Sequence, residues 1–171
     1  MSETVLYSPE PDQDVRVASW WSDLVKSGEL VDIFAPNVQS LSAFLHMFQL
    51  PTQLYYRVDD KGIRAAVWFE PMLSGAFVGM WIRPNLRRTR DSVLFLRDTI
   101  LEASNHVNVL IGLTKQADVV FLAQKLGFQN MGGISGLLPG GITYLLVKET
   151  DFSRRNGTQV EVSSQPRQLV Y

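Results

Sequence analysis

Cysteine is absent from this 171-residue chain, and histidine occurs only twice, at His46 and His106. Without thiols there is no disulfide framework, no Fe–S cluster, no thiolate zinc site and no cysteine nucleophile. Two histidines argue against a histidine-rich metal centre, and no metal is expected. Long apolar runs are missing as well: no stretch approaches the roughly eighteen uncharged residues of a membrane span. The acidic start, MSETVLYSPEPDQD, has no apolar segment of the kind an export signal carries. The expected compartment is the cytoplasm. The length suits one domain and is too short for two full cores. We expect that domain over residues 1–150 and a polar tail over 151–171.

Net charge is also close to nil, at −1, but its distribution is uneven. Residues 1–60 hold nine acids and three bases, whereas residues 61–115 hold eight bases and four acids. Five of the eleven arginines, Arg83, Arg87, Arg88, Arg90 and Arg97, fall within fifteen residues. One concentrated positive segment in a near-neutral chain points to a local anion site. Nucleic acid would require a broader basic field.

Hydrophobic spacing predicts the elements. A short strand over Val5–Tyr7 leads to a helix in DQDVRVASWWSDLVKSGE, with Asp12 or Asp14 as N-cap and Gly28 as its stop. A second helix, NVQSLSAFLHMFQL, is capped by Asn37 and ends at Pro51. Three antiparallel strands follow between Gln53 and Ile82, then a helix with Val93, Leu96, Ile100 and Ala103 inward. The run VNVLIGL reads as a strand buried on both faces. ADVVFLAQKLGF forms a helix closed by Gly127, and a hairpin turns at Pro139-Gly140-Gly141. The tail is expected to be mobile and to dock through Leu169–Tyr171. The order β, α, α, β, β, β, α, β, α, β, β implies an α/β sandwich around a central mixed sheet.

The most informative stretch is GAFVGMWIRP-NLRRTRDS-VLFLRDTILEAS, a strand running through an arginine-rich turn into a helix. That geometry aims free backbone N–H groups and a helix dipole at one point, and arginines there add bidentate donors. Phosphate is the natural ligand. The glycine motifs of dinucleotide-binding and P-loop sites are absent.

With its element order, this stretch resembles the GNAT superfamily of N-acyltransferases. Ile82-Arg83-Pro84 matches the family's V-x-P strand end. Arg87 matches the first position of the R/Q-x-x-G-x-G/A loop, Arg88 and Thr89 its variable positions, and Ser92 its last small residue. Arg90 stands where the first glycine belongs. In the later N-x-x-A-x-x-x-Y signature, Gln116 falls at the Asn, Val119 at the Ala and Ala123 at the Tyr. Its divergence is of a kind associated with bacteriophage-encoded members.

The resemblance implies a mixed, mostly antiparallel sheet of six to seven strands with helices on both faces. It further implies acetyl-CoA or another acyl-CoA as cofactor, held by Met80, Trp81, Ile82, Arg87, Arg88, Thr89, Arg90, Asp91, Ser92, Val93 and Gln116. The acyl group would pass directly to an acceptor amine, because the chain has no thiol to carry it. Glu70 and His46 are the candidate bases. Candidate partners are an acceptor amine on a protein or small molecule, a protein facing the acidic N-terminal region, and a second copy of the chain. The alternative is a GNAT-fold interaction module that has lost its chemistry, on the strength of Arg90 and of Ala123, which has no proton to donate.

Overall fold

Alternating side-chain direction along a strand lets one sheet carry two cores, and this chain uses both. The computed structural model describes residues 4–34, 38–138 and 141–152. Its strands are β1 (Thr4–Leu6), β2 (Gln53–Asp59), β3 (Gly62–Met72), β4 (Gly75–Ile82), β5 (Val109–Thr114), β6 (Gln129–Ser135) and β7 (Ile142–Glu149). The helices are α1 (Pro11–Ser27), α2 (Leu30–Ile33), α3 (Leu41–Met47), α4 (Arg90–Ala103) and α5 (Ala117–Lys125). One seven-stranded sheet has the order β1-β2-β3-β4-β5-β7-β6, antiparallel except where β4 meets β5. Among the described residues no helix is long and apolar enough to cross a membrane.

Period-two alternation on β3 shows how the cores divide. Ala66 and Trp68 face α1, α2 and α3, joining Val17, Trp20, Leu24, Leu30, Phe34, Phe44, Phe48 and Trp81. Ala65, Val67 and Phe69 face α4 and α5, joining Val78, Ile82, Phe95, Leu96, Ile100, Leu110 and Leu146. The first core is aromatic. Trp20 lies with its ring centroid 5.3 Å from Phe44, 5.5 Å from Trp81 and 6.0 Å from Phe48, while Phe34 stacks on Trp68 at 4.9 Å. Each such pair adds about 0.5–1.5 kcal/mol beyond area burial.

Several expectations are corrected. The N-cap of α1 is Glu10, not Asp12 or Asp14: Pro11 occupies the first turn, where its missing N–H costs nothing, and the two aspartates follow inside it. Gly28 does close α1, at φ 76° with its N–H on Val25 O. The second helix is shorter than its pattern, since the Ser40 side chain accepts the Ala43 N–H and starts α3 there. The expected cap, Asn37, lies outside the described residues, as do Pro139-Gly140 of the hairpin turn and 153–171 of the tail. A further helical turn, α2, sits between the two predicted helices. VNVLIGL is covered on one face only: Leu110 is fully buried, but Leu113 is 38% exposed. On α4, Phe95 and Thr99 are buried where Val93 was expected.

Gly79 is demanded by close approach. The Trp68 indole lies across β4 so tightly that a Cβ on Gly79 would sit 2.0 Å from Trp68 Cε2. Gly79→Ala should therefore cost about 1–3 kcal/mol in urea unfolding, with altered tryptophan fluorescence in the folded state.

Candidate active site

The site begins with a ladder that stops. β4 and β5 run parallel, and only Gly75, Ala76 and Phe77 pair, with Val109, Leu110 and Ile111. Beyond that point each strand stays bonded to its outer neighbour, β4 to β3 up to Ile82 and β5 to β7 up to Thr114. A wedge opens between them toward their C-terminal ends.

The direction of the β4 backbone in this wedge follows from one bond. Arg83 N–H donates to Arg64 O, so position 83 points its polar groups at β3, and with it positions 81 and 79. Ile82, Met80 and Val78 therefore turn theirs toward the wedge. Arg87 confirms this by donating Nε–H to Ile82 O at 3.2 Å. Met80 has no ladder partner on that side.

At the open end, Pro84–Leu86 makes a 3-10 turn and Thr89 caps α4. Thr89 Oγ1 accepts the Ser92 N–H at 3.4 Å and lies 2.9 Å from both Leu86 O and the buried Ser92 Oγ. The amides of Arg87 and Thr89 bond back to Pro84 and Leu86. Those of Arg88 and Arg90 have no hydrogen bond among the described residues, and both side chains are exposed without an ion pair. Opposite, Gln116 caps α5 from the end of β5, its side chain making no cap bond.

Four neighbouring arginines, Arg57, Arg64, Arg83 and Arg87, are committed. Arg87 Nη2 donates to Glu29 Oε1, whose second oxygen accepts from Trp81 Nε1 at 3.3 Å. Arg83 grips Asp59 at 2.8 Å and donates to Ile63 O at 3.0 Å. Arg57 and Arg64 meet Asp91, at 2.8 and 3.3 Å. Lys115 reaches Asp32 at 3.3 Å. The acidic first third, expected to form a partner-facing surface, thus sends Glu29, Asp32 and Asp59 into internal pairs. Sequence reading missed these partners; the one available signal was that acids in the first third balance the bases of the next.

Burial works to raise the Asp59 carboxyl. Hydrogen bonds from Arg83 and the Lys61 amide, with the charges of Arg83 and Arg64, outweigh it and hold the group below its ordinary 3.8.

No protein-family model and no curated protein sequence matches the chain. Solved structures do. The ribosomal-protein-S5-alanine acetyltransferase of Vibrio fischeri superposes with TM-score 0.67 at 13% identity, covering 88% of this chain and 97% of its own. An acetyltransferase of GNAT family from Streptococcus pneumoniae gives 0.64 at 17%, covering 86% and 99%. Spermidine N-acetyltransferase from Vibrio cholerae, in complex with CoA and spermine, gives 0.66 at 10%, covering 88% and 98%. The chain has the GNAT fold.

On this fold the anticipated residues separate into groups. Met80 and Ile82 turn their backbone to the wedge, Arg87 reaches Ile82 O, Arg88 to Val93 form the turn and the first residues of α4, and Gln116 begins α5, while the Asp91 side chain is turned to Arg57 on β2 and Arg64 on β3. Trp81 does not lie at the wedge: it is 6% exposed, packed in the aromatic core, and its backbone faces β3. Arg90, at the GNAT glycine position, is the first residue of α4 with a backbone outside the left-handed region, so what glycine would add there is room. Ala123 is fully buried against the sheet. Glu70 pairs with Phe77, so it stands level with the apex of the wedge, one strand away, on the face of α1 to α3. His46 is exposed on α3, its Nδ1 3.1 Å from Gln49 Oε1, and no hydrogen bond or ion pair joins it to Glu70.

A separate cavity of about 290 Å³ lies at the other end of the sheet, lined by residues including Pro51, Tyr55, Phe69, Glu102 and His106. Burial, then the Glu102 charge, raises the Tyr55 hydroxyl above its usual range.

The Asp59–Arg83 pair gives the end of β4 a pH dependence. A folded-state value below the ordinary one contributes stability above that ordinary value, and the contribution is lost as pH falls through the lowered one. Asp59→Asn should cost about 0.5–1 kcal/mol at pH 7, the upper part of the range for pairs that keep some contact with water. In denaturation series across pH, the difference from the parent should be full above the ordinary carboxylate value and fade as pH falls through the lowered one.

Proposed function

We propose that this chain is an acyl-CoA-dependent N-acyltransferase that moves an acyl group from CoA to an amine by direct attack. The single observation carrying the proposal is the wedge, which brings unpaired β4 backbone, two unbonded amides and two unpaired guanidinium groups to one opening. Free N–H donors at Arg88 and Arg90, at the positive end of a fourteen-residue helix, suit a diphosphate. Met80, with no strand opposite it, suits an amide-bearing arm laid where the next strand would run.

In this proposal the amides and side chains of Arg88 and Arg90 hold the diphosphate. Thr89 and Ser92 fix the turn that presents them, and Gln116 offers its free carboxamide from the far side. When bound, acyl-CoA supplies a thioester carbonyl activated for attack and a thiolate leaving group. The Met80 N–H orients that carbonyl and polarises it, and fixed donors of this type supply much of such a reaction's acceleration. Glu70, at the apex level on the opposite face, takes the proton of the incoming ammonium directly or through water. His46 is the weaker base candidate, because it is solvent-exposed and bound to Gln49. A protein or small-molecule amine fits equally, and the known acceptors of similar folds belong to those proteins.

A second reading, an interaction module without chemistry, is favoured by two particulars. Arg87 is held by Glu29, and the fully buried Ala123 offers no proton to a leaving thiolate. Calorimetric titration with acetyl-CoA and desulfo-CoA separates the two. We expect micromolar binding, weakened about tenfold, or roughly 1.4 kcal/mol, by Arg90→Ala. Absence of binding up to millimolar cofactor would overturn the enzyme reading. Glu70→Gln should leave that affinity unchanged and slow thioester turnover by about 10²–10⁴; turnover equal to the parent's would remove Glu70 from the mechanism.

A further inference from the structure

The helical turn α2 is anchored at its two ends, by Leu30 and by the Phe34 that follows it and stacks on Trp68, and it carries two ion pairs on its polar side. It is four residues long, its N-cap side chain makes no capping bond, Leu30 is its one buried residue and Val31 is 60% exposed. Helices this short have no independent stability. Its polar contacts reach both sides of the wedge. Glu29 holds Arg87, five residues past the end of β4, and Asp32 holds Lys115, immediately past the end of β5. Positions three apart lie on one helix face, about 5–6 Å from each other. One turn of chain therefore ties together the two strand ends that diverge.

Arg87 is divided between two duties. Its Nε–H serves Ile82 O, on the wedge side of β4, and its Nη2 serves Glu29, on the face of α1 to α3. An anion seated at the start of α4 approaches this same guanidinium and offers it a stronger partner than a carboxylate that is 21% exposed.

We propose that α2 is an electrostatic latch across the mouth of the wedge, released when an anionic ligand occupies the N-terminus of α4. Glu29 and Asp32 hold Arg87 and Lys115 until the ligand's diphosphate draws on the same positive charge. α2 lies on the face that carries Glu70, so its release uncovers the side from which an acceptor amine reaches the apex. Ligand occupancy and acceptor access become one coupled equilibrium, and the coupling is reciprocal: whatever the latch withholds from the ligand, its removal returns. That the ligand is an acyl-CoA rests on the proposed function, whereas the latch itself does not.

Amide hydrogen exchange on the full chain tests it, followed in peptides covering 29–34. In the ligand-free parent, raising salt from low ionic strength to about 0.5 M screens the two ion pairs and should speed α2 exchange several-fold, with α4 and β3 unchanged. Glu29→Gln with Asp32→Asn, which keep the hydrogen-bonding shape and remove the charge, should do the same at low salt. The double variant should also bind CoA several-fold more tightly than the parent, and CoA should speed α2 exchange in the parent. Exchange indifferent to salt and to the double substitution, or slowed by CoA, would overturn the latch, as would CoA binding weakened by the substitutions. If CoA binds neither protein, the acyl-CoA reading falls and inorganic pyrophosphate replaces CoA as the probe. The latch then stands if pyrophosphate speeds α2 exchange, and fails if it does not.

Discussion

Gly75, Ala76 and Phe77 bind β4 to β5, and then the two strands part. Gly75 makes the joint possible, because a Cβ there would lie 2.6 Å from Val109 Cγ1 and 2.8 Å from Val109 O. From this tight junction each strand follows a different neighbour, β3 on one side and β7 on the other. A backbone edge facing no strand is costly to bury and has reason to be filled by a ligand. Position 80 supplies that edge in the middle of the wedge, and Arg87 already satisfies the carbonyl at its rim.

The two cores hold the parted strands in place. On one face Trp68 lies over Gly79 and Trp20 gathers Phe44, Phe48 and Trp81, fixing β3 and β4 against α1 and α3. On the other, Phe95, Leu96 and Ile100 seat α4 against Val78 and Ile82, which sets where its N-terminus points. Arg57 connects this packing to the charged rim, with its guanidinium carbon 5.1 Å from the Phe95 ring centre and Nη1 on Asp91. Charges of both signs meet at this end of the sheet. Acids from the α1–α2 junction, β2 and α4 pair with Arg57, Arg64, Arg83 and Arg87, and among the described residues Arg88 and Arg90 remain exposed beside amides with no partner.

Much of the fold was legible because it depends on local periodicity. The alternation in β2 to β4, the glycine stop at Gly28 and the Arg-Pro strand end each rest on neighbours in sequence. The element order and the positive helix entrance followed from these. The wedge was legible only through family resemblance, since nothing in VNVLIGL states where its pairing with β4 ends. That run also reads as buried on both faces, whereas the helices cover one, which periodicity cannot distinguish for a uniformly apolar strand. Glu29, Asp32 and Asp59 were seen as bulk negative charge. Their partners lie 58, 83 and 24 residues away, a separation that no spacing rule spans. Trp81 was placed in the site by its proximity to Ile82, but the two-residue period turns it to the other core.

Acyl transfer by this route requires that CoA bind in the wedge. A crystal structure of the chain grown with CoA tests this most directly. Its diphosphate should lie within hydrogen-bonding distance of the Arg88 and Arg90 amides, with the pantetheine arm between β4 and β5 against Met80. CoA bound elsewhere, for instance in the cavity beside Tyr55 and His106, with the wedge empty, would contradict it.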